Sequence, residues 1–111
     1  MTKNVQIDGS KIKDGESFHD LFAELFGFPG FYGRNMDAWN DCMTYLAVPV
    51  EGMTSLHVTP GDVVVLCISG ADDLKKRCPE IFEALVECSG FVNWRRIEKG
   101  EPAVLALSFY A

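Results

Sequence analysis

The sequence predicts an α/β domain built on a small, mainly parallel three-stranded sheet packed with helices. Three observations carry this. Val63–Ser69 is a continuous β-branched and aliphatic run, the pattern of a strand buried on both faces. Asn4–Ile7 alternates polar and apolar residues, then meets Asp8-Gly9, a turn signal. Ala103–Tyr110 is a second apolar run, and stretches of helical period separate the three. Strands alternating with helices favour parallel pairing. The chain has 111 residues, 48% of them hydrophobic. Residues 1–111 are expected to form one domain with a core that requires no metal or disulfide.

Phe18, Leu21, Phe22, Leu25 and Phe26 recur at i, i+3, i+4, i+7 and i+8, which predicts an amphipathic helix. Ser17, with Asp20 three residues on, is its expected start, and Gly27 and Pro29 its end. His19 lies off the apolar stripe and is expected to be solvated. Beyond Pro29-Gly30, Gly33 offers a turn position free to take positive φ. Asn35 is a good N-cap, and Asp37 in the first turn suits the helix dipole. The second helix is expected from about Asn35 to Ala47, closed by Pro49. At 100° per residue it divides in two. Trp39, Cys42, Met43 and Leu46 form an apolar back, with Met36 at its margin. Asn40, Thr44, Asp37 and Asp41 fall on an outer side.

Glu51–Asp62 is a connection, with a short extended piece expected at Ser55–Val58. Asp72-Asp73 caps a short helix containing Lys75, Lys76 and Arg77. Pro79 opens another, with Ile81, Phe82, Leu85, Val86 and Cys88 as its stripe and Gly90 as its stop. Glu80, Glu83 and Glu87 occupy its other sides. Phe91–Ile97 reads as a strand and Glu98–Pro102 as a turn, so the last two segments suggest an added C-terminal antiparallel hairpin. There are no internal repeats or low-complexity segments.

Sixteen acids against ten Lys and Arg give a net charge of −6. Such a surface repels phosphate backbones and so argues against nucleic-acid binding. It favours a basic protein partner, with solubility as the plain alternative. The N-terminus lacks an apolar signal core, and no apolar run approaches membrane-spanning length. Cys42, Cys67, Cys78 and Cys88 show no C-x-x-C spacing, which fits reduced thiols in a cytoplasmic protein. His57 has no second ligand at metal spacing, so neither a metal nor a cofactor is expected. Phosphate-loop, dinucleotide and nucleophile-elbow motifs are absent. Asp37 and Asp41 on an exposed helix would lack the desolvation that splits a general acid/base pair, so an enzyme is not expected. Like charges at i,i+4 weaken an isolated helix by a few tenths of a kcal/mol. That cost points to an outside partner, the alternative being an ordinary solvated face.

The stretch Phe31-Tyr32-Gly33-Arg34-Asn35-Met36-Asp37-Ala38-Trp39-Asn40-Asp41-Cys42-Met43-Thr44 closely resembles the signature of the barstar family of ribonuclease inhibitors. The Ile-Asp-Gly turn and the amphipathic helix before it fit the same pattern. After Pro49 this chain carries extra residues. The resemblance implies a small α/β inhibitor, a bacterial intracellular antidote or immunity protein, that plugs the active site of a basic ribonuclease. A family member that binds another basic protein as an adaptor is the alternative. Asp41 matches the family's strongest acidic anchor and Asp37 its neighbour. Phe31 matches an aromatic that packs in the nuclease site, Gly33 lets the backbone come close, and Thr44 matches a polar rim contact. Asn35 and Asn40 complete the implied partner-binding set. Phe31 and Asn40 stand where the best-known inhibitor has Tyr and Trp, and Trp39 comes one residue early. The family's further acid, a Glu on a later helix, has Glu83 and Glu87 as candidates, although spacing from Gly90 puts Leu85 at the expected place.

Overall fold

In the computed structural model, which describes residues 1–111, β2 (Val63–Ser69) is the middle strand of a three-stranded sheet. β1 (Thr2–Asp8) and β3 (Leu105–Phe109) flank it, both parallel to it. The register sets Val5 beside Leu66 and Ile7 beside Ile68, and on the other edge Val64 beside Leu105 and Leu66 beside Leu107. Strand side chains alternate, so these residues share one face. The core lies on that face, where they meet the aromatic and aliphatic sides of the helices. The other face holds exposed Asn4 and Gln6 and half-buried Val65 and Ala106, with Cys67 buried between. The burial of β2 is thus complete on one face and partial on the other.

Helix α1 (Gly15–Phe26) starts before the expected Ser17. Asp14 is the N-cap, accepting from the Ser17 amide at 2.8 Å. Ser17 Oγ accepts from the Asp14 amide at 3.0 Å, completing a capping box. Gly27 ends α1 in the left-handed conformation (φ 63°). A Cβ there would collide with Ser55, whose amide donates to the Phe26 carbonyl at 2.9 Å. Ser55–Val58 is therefore irregular chain tied to the end of α1, not the extended piece expected.

Helix α2 (Met36–Thr44) runs into turns and a 3₁₀ turn at Pro49–Glu51. It is shorter than the period implied. Helix α3 (Ala71–Arg77) follows β2 directly. Its N-cap is Gly70, with no side-chain cap from Asp72 or Asp73.

Helix α4 (Pro79–Glu98) corrects the largest sequence expectation. Phe91–Ile97 is helix, not strand, and no antiparallel hairpin forms. Gly90 lies in the helix interior, where it costs only about 1 kcal/mol relative to Ala. Asn93 mimics a neighbouring strand. Its Oδ1 accepts from the amides of Val104 (2.9 Å) and Leu105 (3.0 Å), and its Nδ2 donates to the Leu105 carbonyl (2.9 Å). All four cysteines are free thiols. No helix is long and apolar enough to cross a membrane.

Candidate functional site

The α1 stripe seats α2. Phe22 meets Trp39 edge-on at 5.6 Å between ring centroids, and Phe18 lies 6.4 Å from the same indole. Trp39, Met43 and Leu46 are fully buried and Cys42 is nearly so, as the apolar back predicted. With that back fixed against α1 and the sheet, Asp37 and Asp41 face solvent. Asn35 caps the helix as expected, its Oδ1 accepting from the Ala38 amide at 2.8 Å.

The loop before α2 is pinned to α1 at two points. Tyr32 packs on Phe28 at 4.6 Å and shares a 2.6 Å hydrogen bond with His19 Nδ1. Arg34 forms an ion pair with the Asp20 carboxylate, Nη2 to Oδ1 at 2.8 Å, and donates through Nη2 to the Glu16 carbonyl at 3.1 Å. His19 is thus buried and bonded, not solvated. The turn takes its left-handed residue at Arg34 (φ 55°) and not at Gly33. A Cβ on Gly33 would make only ordinary contacts with Ala38 and Asn35. Phe31, by contrast, is 76% exposed. A cleft of about 190 Å³ opens between loop and helix, lined by Phe31, Tyr32, Gly33, Ala38, Asp41 and Cys42 with Pro29 and Met53. Burial pushes the Cys42 thiol up to about 11, and the neighbouring Asp41 charge adds to the rise.

Asn40 and Thr44 depart from the outer face assigned to them. Both are buried, at 7% and 3% exposure, because α4 packs along that side of α2. The Thr44 hydroxyl donates to the Asn40 carbonyl at 2.6 Å, and buried Arg96 donates to the Thr44 carbonyl at 2.9 Å. Wheel angles located the two residues relative to Trp39 but did not reveal the second helix.

Glu83 and Glu87 are both exposed on α4 but diverge. Glu87 adjoins Cys88, whose thiol is raised by burial, against the Asn40 amide, and further by the charges of Glu87 and of Asp37 on α2. Glu83 lines a separate cleft with Lys75 and Phe82. The α4 residue that touches Asp41 is Arg95, whose Nη1 donates to Oδ1 at 2.9 Å. Reading Phe91–Ile97 as a strand hid it. No group of three or more His, Cys, Asp or Glu gathers in metal-binding geometry.

A segment of 42 residues is 40% identical to a protein of Bacillus subtilis (strain 168) named "Putative ribonuclease inhibitor YrdF". The match covers 38% of this chain and 46% of that relative, so the chain spans under half of the relative's length. A family model described as Barstar (barnase inhibitor) matches residues 2–107, nearly the whole chain, and the chain accordingly belongs to the barstar family.

Proposed function

We propose that this chain, working as one domain over residues 1–111, binds a basic ribonuclease one to one and blocks its active site. The observation that carries the reading is the pairing of the protruding Phe31 with the Asp41 carboxylate on one cleft, with exposed Asp37 on the same helix. A ribonuclease site is lined with cations that hold phosphates. Carboxylates at those positions form charge-assisted hydrogen bonds with the same groups. Phe31 supplies a ring to bury, and Gly33 leaves the backbone open to close approach. Asn35 sets the start of the helix, while Asn40 and Thr44 hold it against α4. Glu87 adds to the acidic field beside Asp37, and Glu83 acts only at longer range. The net charge of −6 speeds encounter with a cationic partner. In this reading the protein has no catalysis of its own and serves in the cytoplasm as an antidote or immunity protein.

The test is RNA hydrolysis by a panel of basic ribonucleases, barnase among them, titrated with this protein. Loss of one nuclease's activity at a one-to-one ratio is the expected result. Full activity across the panel, with a non-nuclease basic protein captured instead, would establish the adaptor alternative.

A further inference from the structure

We propose that Arg95 is a specificity-determining residue that masks Asp41 in the free protein and must be displaced by a partner's cation. The identity of the partner rests on the ribonuclease-inhibitor reading; the mask is a property of this chain alone.

Asp41 is half exposed, with 53% of its side chain open to solvent, yet it is not free. Arg95 reaches across from α4 to donate to it at 2.9 Å. Arg95 is not a loose surface chain either, since only 25% of it is exposed. Its guanidinium lies 5.6 Å over the Phe91 ring, and that ring stacks on Trp94 at 5.8 Å and 28°. A planar guanidinium held on an aromatic face loses little further freedom on pairing. The other paired arginines differ. Arg34 ties the loop to Asp20, Arg77 bonds Asp73 within α3 and Arg96 pairs with Glu101 just past α4, whereas Arg95 neutralises the carboxylate that rims the cleft. Asp37, on the same helix, has no such cation. A uniformly cationic partner therefore meets one free carboxylate on α2 instead of two. Binding at Asp41 exchanges one guanidinium for another, and only a partner that competes well with Arg95 gains from the exchange.

The probe is barnase, with binding rates measured for the wild type, Arg95→Gln and Lys99→Gln. Lys99 at the exposed end of α4 carries the same charge and serves as the control for net charge. Arg95→Gln is expected to bind about fivefold tighter than Lys99→Gln, the upper range for releasing an exposed pair, with the gain mostly in slower dissociation. A partner-free arm is a double-mutant cycle in urea, in which Arg95→Gln is expected to lower the unfolding midpoint more in the wild type than in Asp41→Ala. The mask is overturned if Arg95→Gln binds no tighter than Lys99→Gln; should neither bind, the partner-free arm alone decides it. It is equally overturned if Arg95→Gln lowers the midpoint by the same amount in both backgrounds. Should Arg95→Gln gain barnase binding while the wild type inhibits no ribonuclease, the mask stands and the inhibitor reading fails.

Discussion

His19 on α1 and Tyr32 in the loop before α2 share a 2.6 Å hydrogen bond between the imidazole Nδ1 and the phenol oxygen. The rings meet at 5.5 Å and 60°. Burial holds the imidazole below its usual range, and the charge of Arg34 adds to this against that of Asp20. Burial also holds the Tyr32 phenol well above the usual range, so it stays protonated. A neutral histidine is therefore part of what shapes the loop that presents Phe31.

That arrangement makes stability depend on pH. The folded value of His19 lies below the ordinary 6.5, so the unfolded chain takes up the proton first as pH falls. The contribution is fully present above about pH 6.5 and is lost as pH falls through the lower folded value. Asp8 and Asp14, held low by their bonds from Ser10 and Ser17, act only in more acid solution. In urea melts at about pH 7.5 and about pH 5.5, the wild type is expected to lose more stability than His19→Gln. Equal losses contradict it.

Trp39 and Asp37 belong to opposite sides of α2. Trp39→Ala removes a fully buried indole from between Phe18 and Phe22 and is expected to cost about 3–5 kcal/mol. Asp37→Ala is expected to stay within about 0.5 kcal/mol, because the helix-dipole loss and the relief of repulsion with Asp41 nearly offset. Chemical denaturation of the two variants decides it, and the reverse order would mean that the faces are misassigned.

Arg34 combines a clamp with a strained backbone. Substitution by alanine loses the ion pair with Asp20 and the hydrogen bond to Glu16 and keeps the strain at φ 55°. Substitution by glycine loses the same bonds but removes the strain. Arg34→Gly is thus expected to be more stable than Arg34→Ala by about 1 kcal/mol. Thermal melts giving equal stability would show that the left-handed turn carries no cost.

Arg96 is 4% exposed and bridges two segments, donating to the carbonyls of Thr44 (2.9 Å) and Pro102 (2.8 Å). Arg96→Met keeps apolar bulk but strands the buried Thr44 carbonyl and unties exposed Pro102. The expected loss is about 1–3 kcal/mol, the penalty for one unsatisfied buried group. A loss below about 0.5 kcal/mol, the range of an ordinary surface change, would show that the α2–α4 contact does not depend on it.

Much of this was legible in the sequence because hydrophobic period and capping report on single elements. The α1 stripe, the Trp39–Met43–Leu46 back, the Asn35 cap and the three strands are of that kind. What escaped depends on a second element. The last turns of α4 bury Ser89 and Arg96 beside Val92 while exposing Phe91, Trp94 and Ile97, which blurs the amphipathic stripe. Asn93 bonds like a strand residue from within a helix. Asn40, Thr44 and His19 look solvated until α4 and the loop before α2 cover them. The carboxylates of the candidate site were readable from their spacing, whereas Arg95 was not, since nothing local links it to Asp41.

The most direct test of the central claim compares Asp41→Ala with Glu83→Gln in stopped-flow binding to barnase, in dilute and concentrated salt. If Asp41 is a desolvated anchor, its loss strands partner cations in a buried interface. The cost is expected to exceed about 2 kcal/mol and to appear in the dissociation rate; this size is borrowed in part from the barstar family's founding pair. Glu83→Gln is expected only to slow association, with the effect vanishing near 1 M salt, where the Debye length is about 3 Å. Equal, small and salt-sensitive effects for both variants would contradict the plug and leave only a diffuse acidic surface.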